Sequence, residues 1–269
     1  MTESTGSCRC GQVRLTVRGA PLHIGICAGV WENRRVSDIV ASLVTALRLV
    51  TGGDPNLWTV VSLSLEVSLT AALLACLFGL PLGAWIAVRD FPGRRAAIVA
   101  LNALLGLPSV VVGLLVYLML SRAGPLGSLG ILFTPMAIVI AQTLLVIPIV
   151  AAMARQFVED AWQEYREQLT SLGVSPTRAV PTLLYDLRYT LLTVVLLGFG
   201  RAASEVGAVM IVGGNIDGVT RVMTTSIALE TSKGDLPLAL GLGAILITVV
   251  LALNAAAYAL REWSIRQHG

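Results

Sequence analysis

Residues 79–88 read Gly-Leu-Pro-Leu-Gly-Ala-Trp-Ile-Ala-Val, and this run decides the fold class of the chain. It lacks the alternation of polar and apolar residues that a strand of a membrane β-barrel requires. Toward the N-terminus it continues as an apolar segment from about residue 59, longer than the roughly 20 residues that cross a bilayer as a helix. Because a spanning segment must satisfy its own backbone hydrogen bonds, the sequence predicts an all-α, polytopic membrane helix bundle.

The composition of the whole chain agrees with a membrane protein. Of its 269 residues, 55% are hydrophobic and 13% are charged, and the mean hydropathy is +0.80. Soluble domains carry about a quarter charged residues. The net charge of +3 is too small to indicate a nucleic-acid partner, so the expected environment is the lipid bilayer.

Five segments are long and apolar enough to span the membrane as helices. They lie at about 59–88, 96–120, 131–153, 189–212 and 236–260. Arginines crowd the connections at 89–95 and 154–188 and follow the last span, which places these three regions in the cytoplasm. An odd number of spans then puts the N-terminus outside.

The N-terminal tail conflicts with that orientation because it carries five arginines on the predicted outer face. One explanation is an amphipathic helix over residues 36–56 that lies in the outer interface. Another is that residues 1–35 are a vestige, a fusion scar or a misassigned start, which leaves the membrane domain at 57–266.

The segment from Gly6 to Cys27 resembles the opening of the glutathione-dependent formaldehyde-activating zinc fold. Further cysteines do not follow soon after Cys27, so a closed thiolate zinc site is not predicted. A signal peptide is not predicted either, because the tail has no apolar core of about 7 to 15 residues.

Catalytic chemistry is not indicated by the sequence. Both histidines, His23 and His268, lie outside the predicted spans, and no Walker-type phosphate-binding motif occurs. We therefore expect no metal, no cofactor and no enzymatic activity, with any ATP hydrolysis on a separate partner.

Three charged residues fall within predicted spans, where a charge usually has a function. Arg201 and Glu205 are one helical turn apart among small residues, and Ser204 lies between them. The pair either holds helix packing or lines a pore or gate. Glu66 is expected to face the bundle interior as a packing contact. Prolines also interrupt the apolar segments, at Pro81, Pro108, Pro135 and Pro148.

The segment Glu164 to Arg178 is a polar insert between apolar stretches. Its apolar residues recur at helical spacing, at Phe157, Ala161, Tyr165, Leu169 and Leu172. Gly173 suits the left-handed position after a helix, and Ser175-Pro176 suits the start of a second one. The pattern predicts a helix, a turn and a helix, which is either a docking element for a cytoplasmic motor or a solvated connection.

Residues 167–173 and 201–216 together resemble the inner-membrane permease of bacterial ABC importers for oxyanions, most closely the tungstate type. Gln168 and Leu169 depart from the two alanines of the family's Glu-Ala-Ala loop. The resemblance implies a type I importer in the bacterial cytoplasmic (inner) membrane. It also implies a homodimer, two copies of an ATP-binding cassette subunit and an extracytoplasmic oxyanion-binding protein.

The same resemblance implies three groups of site residues. Coupling to the ATPase falls on Glu167, Leu169, Leu172, Gly173, Ser175 and Arg178. The translocation path or gate falls on Arg201, Ser204, Glu205 and Glu66, and contact with the binding protein on Asn215, Asp217 and Arg221. Molybdate and sulfate permeases remain alternatives, as do a secondary transporter, whose internal repeat is not seen, and a membrane enzyme.

Overall fold

The computed structural model describes residues 3–7, 14–18 and 55–268. In the tail, β1 (Glu3–Ser7) pairs antiparallel with β2 (Arg14–Arg18), with Glu3 opposite Arg18. Sequence analysis did not predict this hairpin. The predicted amphipathic helix over 36–56 lies almost wholly outside the described residues, as do the three tail cysteines.

Residues 55–268 form nine α-helices, which confirms the predicted all-α bundle for this part of the chain. The helices are α1 (Pro55–Val88), α2 (Arg94–Leu105), α3 (Ser109–Leu120), α4 (Pro135–Ser171), α5 (Pro176–Asp186), α6 (Arg188–Ala203), α7 (Gly207–Gly213), α8 (Met223–Lys233) and α9 (Leu236–His268). A short 3₁₀ turn, Gly127–Leu129, lies between α3 and α4.

Three helices are long and apolar enough to cross a bilayer, within Leu57–Val88, Pro135–Ser171 and Leu238–Ala256. Two further pairs, α2 with α3 and α5 with α6, pass the same test only if each bent pair counts as one span. The described residues therefore hold three to five candidate spans, a range that includes the predicted five.

Two predicted spans are not continuous helices. The second bends by 100° between α2 and α3, where Pro108 lacks a backbone N–H and disfavours helix at the residue before it. The fourth ends at Ala203 instead of residue 212, and α7 begins after a break of three residues. Pro108 was a visible signal for the first break, whereas the second has no proline.

The third span continues beyond its predicted end. α4 is a single helix of 37 residues, about 55 Å long at 1.5 Å per residue, and Pro148 lies inside it. It therefore joins the membrane core to the polar segment without an intervening loop.

The most extensive packing in the bundle is between α1 and α4, and small residues permit it. Ala71, Ala72 and Ala75 of α1 are completely buried. A Cβ atom on Gly83 would lie 2.3 Å from the carbonyl oxygen of Ala151, so only glycine fits there. Close backbone approach at small residues is how membrane helices gain contact without a hydrophobic driving force.

The two ends of α1 contact different parts of the chain. Leu57 and Val61 pack against Met223 of α8 and Leu242 of α9. Val88, at the other end, packs in a cluster with residues of α4 and α5. The polar segment and the loop before α8 therefore lie at opposite ends of a helix about 50 Å long.

Candidate functional site

The turn after α4 has the geometry that the sequence predicted. Gly173 has φ of +74° in the left-handed region. Its N–H donates to the carbonyl of Thr170 at 2.9 Å, and the N–H of Val174 donates to the carbonyl of Leu169 at 3.0 Å. These two bonds form a Schellman motif, which satisfies the last carbonyls of a helix. α5 then begins with Ser175 in the N-cap position and Pro176 as its first residue.

The helices on either side of this turn are held against the end of α1. A buried cluster joins the three helices, and its members are Ala84, Ala87, Val88, Val158, Ala161, Trp162, Ala179 and Leu183. Tyr165 and Leu169 pack against it, as the predicted stripe requires. Leu172 does not belong to the stripe, because its side chain is 77% exposed. α4 ends at Ser171, so Leu172 no longer follows the helical direction.

The tip of the segment is accessible to a partner. Glu167, Gly173, Ser175 and Arg178 are all exposed. Together with Leu172, which is also exposed, these residues are what we call the tip surface; it includes one acidic, one basic and one large apolar side chain. Apart from Gly173 and its two neighbours in sequence, no atom of the described residues lies within 4 Å of where a Cβ on Gly173 would be placed.

An ion-pair network that sequence analysis missed ties this segment to the membrane core. The Arg94 guanidinium donates to the carbonyls of Ile86 and Ala87, at 3.0 and 3.1 Å, where α1 ends. It also pairs with Glu159 of α4 at 2.8 Å, and Arg155 pairs with the same carboxylate. The only sequence signal was the four-residue spacing of Arg155 and Glu159.

The second candidate site is the break between α6 and α7. Arg201 and Glu205 form an ion pair at 2.5 Å, although the helix ends between them. Glu205 is only 4% exposed, and its carboxylate also accepts bonds from the N–H of Ala208 at 3.2 Å and from the Ser109 hydroxyl. Ser204 is exposed and the Arg201 side chain is 34% exposed.

Close packing of α3 holds this break from one side, as the small residues of the sequence predicted. A Cβ on Gly113 would lie 2.7 Å from the Ala208 Cα atom, and one on Gly207 would lie 2.8 Å from Val110 Cγ2. The prediction for Glu66 is wrong for the single chain, because this residue lies on the exposed face of α1. Within residues 55–268, Glu66 makes no ion pair with Arg201 or Glu205.

The loop before α8 contains the three residues expected to meet a binding protein. Asn215 adopts a positive φ of 51°. Arg221 pairs with Asp217 at 2.9 Å, and the Asp217 side chain is 79% exposed. Thr220 is fully buried and fixes the loop by donating to the Gly213 carbonyl at 2.6 Å.

A pocket of about 280 Å³ lies between this loop and helices α1, α8 and α9. Asp217, Arg221, Ser226 and Glu230 supply its polar lining, and leucines of α1 and α9 supply apolar walls. Asn215 does not line it, so the structure brings together two of the three predicted contact residues.

Comparison with known protein families gives a match over residues 79–267 to the binding-protein-dependent transport system inner membrane component. The match covers most of the chain, including the tip surface, the break between α6 and α7, and the loop before α8. The chain belongs to this family. Members of the family are membrane components of transport systems, so the protein is a multi-pass membrane permease.

Individual relatives of the permease agree over most of their length. It is 41% identical over 217 residues to the tungstate uptake system permease protein of Peptoclostridium acidaminophilum, covering 81% of this chain and 95% of that protein. It is 37% identical to the protein of the same description from Campylobacter jejuni, covering 81% and 91%. A probable sulfate transport system permease protein of Nephroselmis olivacea is 30% identical, with 87% and 83% covered.

Proposed function

We propose that this permease is the membrane subunit of an ATP-driven importer that moves tungstate into the cell. The observation that carries the proposal is its identity, 41% and 37%, to two tungstate uptake permeases along more than nine-tenths of their length. The bacterial cytoplasmic membrane is the expected location.

The proposed assembly is a homodimer of the permease with two ATP-binding cassette subunits and an extracytoplasmic oxyanion-binding protein. The family's description as binding-protein-dependent supports the last of these partners. In this assembly ATP binding closes the motor and moves its contacts on the permease, which alternates access to the path.

The tip surface is the proposed contact with the ATPase. Leu172 is exposed, and the helices on either side of it carry the exposed charges of Glu167 and Arg178. An exposed apolar side chain in a charged segment is suited to insertion into a groove with a charged rim. Leu169 and Ser175 hold the two helices on either side in place. The Schellman turn at Gly173 fixes their relative direction.

The break between α6 and α7 is the proposed translocation path, with Arg201, Ser204 and Glu205 at its wall. Glu205 neutralises Arg201, so the wall offers little net attraction to a dianion. A conduit with low affinity releases its substrate, whereas a tight site would retain it. Glu66, on the exposed face of α1, is proposed to face the same aqueous path in the dimer.

The loop residues Asn215, Asp217 and Arg221 are the proposed contact with the binding protein. The exposed carboxylate of Asp217 and the adjoining pocket offer this partner both a charge and a recess. The loop lies at the opposite end of α1 from the tip surface, as docking of partners on opposite sides of a membrane requires.

The test of substrate is uptake by proteoliposomes that contain the complete assembly. When ATP is present on the cytoplasmic side of the permease, tungstate should accumulate on that side. Calorimetry on the binding protein should give a higher affinity for tungstate than for molybdate or sulfate. Sulfate is the second candidate because a sulfate permease is also 30% identical. Uptake of sulfate but not tungstate would refute the tungstate assignment.

Gly173→Val tests the coupling assignment. A β-branched residue is strained at the positive φ of this turn, so the variant should reach the membrane but lose ATPase association or uptake. Gly93→Val is the matched control, because Gly93 also has a positive φ, of 94°, and an equally open position, but lies before α2. Equal uptake by the two variants would contradict the assignment.

A further inference from the structure

Side chains from two other helices bind the backbone carbonyls at the break between α6 and α7. The Gln142 Nε2 of α4 donates to the Ala202 carbonyl at 3.0 Å. The Thr224 Oγ1 of α8 donates to the Glu205 carbonyl at 2.9 Å. Both side chains belong to buried residues, 3% and 7% exposed.

These bonds supply donors to backbone carbonyls where the helix is interrupted. The last carbonyls of a helix have no partner within the helix, and a buried carbonyl without a donor destabilises the fold. At the end of α6, Ala202 and Glu205 are both buried, although Ser204 between them is exposed. The Ala202 carbonyl also accepts from the Glu205 N–H at 3.2 Å within the break. The side-chain donors from α4 and α8 add the bonds that tie the break to its neighbouring helices.

The position of α8 is itself fixed by a polar bond to α1. The N–H of Met223 donates to the Ser64 hydroxyl at 2.7 Å, and this hydroxyl in turn donates to the Val60 carbonyl at 2.6 Å. Thr224 follows Met223 directly. Two successive residues of α8 thus bind α1 on one side and the backbone of Glu205 on the other.

A cavity of about 10 Å³ adjoins these bonds, lined by Ser64, Ser68, Gln142 and Thr224 among others. Its size is that of a single water molecule. The Gln142 amide has a fixed orientation, because a carbonyl acceptor requires its nitrogen to face Ala202. Gln142 Oε1 then remains without a donor from the described part of the chain.

We propose that Gln142 and Thr224 are positioning residues for transport: they form a polar lock that holds the break closed around Glu205, and the path opens when these bonds separate. The inference rests on the proposed function, since it assigns the break to the translocation path. Neither residue contacts the proposed path directly. Each acts on it through the backbone of Ala202 or Glu205.

The lock is tested by the reactivity of a buried reporter at the break. Ala202 is 1% exposed, so Ala202→Cys in a background without the four native cysteines should react slowly with an impermeant thiol reagent. Gln142→Leu and Thr224→Val each remove one bond while keeping side-chain volume. Each should raise the labelling rate by about five- to thirty-fold, the factor that one lost hydrogen bond of 1 to 2 kcal/mol produces.

Thr143→Val is the matched control. Thr143 follows Gln142 on α4 and is also buried, but its hydroxyl has no hydrogen-bond partner among the residues that the structure describes. Labelling should stay within about two-fold of the unmodified background, since this change removes no bond. Thr224→Ser retains the hydroxyl and should restore slow labelling, which separates the lock from a general loss of packing. Equal labelling rates in the Thr143, Gln142 and Thr224 variants would overturn the proposal.

Transport measurements separate this proposal from the proposed function. The lock variants should hydrolyse more ATP per anion imported. A path that opens independently of the ATPase should allow some cycles of ATP hydrolysis that import no anion. Labelling needs no substrate, so the failure of tungstate uptake by the unmodified protein would refute the substrate and leave the lock standing. Normal tungstate uptake with unchanged labelling in the lock variants would refute the lock alone.

Discussion

Removal of both members of the Arg201 and Glu205 pair should destabilise the permease less than the sum of the two single removals. In Arg201→Ala, the carboxylate of Glu205, which is 4% exposed in the unmodified protein, keeps two donors, the Ser109 hydroxyl and the Ala208 N–H. A broken buried ion pair usually costs about 3 to 5 kcal/mol. Because two donors remain, we expect a loss near the lower limit, about 3 kcal/mol.

The opposite variant, Glu205→Ala, should be milder. The Arg201 side chain is 34% exposed, so its charge can turn toward water when the carboxylate is gone. The bond to the Ala208 N–H is lost, which is comparable to the loss of a helix cap at about 1 kcal/mol. We expect a total of about 1 to 2 kcal/mol.

The double variant leaves no unpaired charge, so its loss should be smaller than the sum of the single losses by about 1 to 2 kcal/mol. The assay is the free energy of unfolding of each purified variant, measured by detergent titration. Strictly additive losses would refute the argument, because they would show that the two residues do not interact. Glu205→Gln, which keeps an acceptor but removes the charge, separates charge from hydrogen bonding.

Three further predictions concern topology, the tail and packing. Without native cysteines, Ser171→Cys should be shielded from an impermeant reagent in intact cells and Val219→Cys should react; the reverse pattern would invert the orientation. Deletion of residues 1–35 should leave membrane insertion and uptake intact, and a stable but inactive truncated protein would contradict this. Gly83→Ala should lower stability by about 1 to 3 kcal/mol through overpacking against α4, measured by thermal unfolding. Gly200→Ala, with open space around its Cβ position, is the control and should have little effect.

Local signals in the sequence predicted the structure where the cause is local. The turn at Gly173 depends on a positive φ, and the start of α5 depends on Ser175 and Pro176, so both could be read from adjacent residues. Apolar length likewise located the three helices that are long enough to cross a bilayer. The predicted apolar stripe was wrong only for Leu172, which lies one residue beyond the end of α4.

Features that depend on distant residues were not predictable. Arg94 and Glu159 are 65 residues apart in sequence, and no local pattern joins them. The break after Ala203 contains no proline and is stabilised by donors from Gln142 and Thr224. Glu66 was placed inside the bundle because a charge in an apolar segment suggests burial, but the face of α1 that is covered depends on the packing of α4.

The continuity of α4 makes it a lever arm. A tilt of about 10° around its midpoint displaces each end by about 5 Å, given a length of about 55 Å. Pro148, close to the midpoint, is the one position where the helix lacks an internal hydrogen bond donor and can bend. If α4 stays rigid at Pro148, a displacement of Ser171 moves Gln142 in the opposite direction. If α4 bends at Pro148, the displacement of Ser171 is not transmitted to the other half of the helix. The bending stiffness of α4 at Pro148 thus sets how much of a displacement at Ser171 is transmitted to the opposite end of the helix.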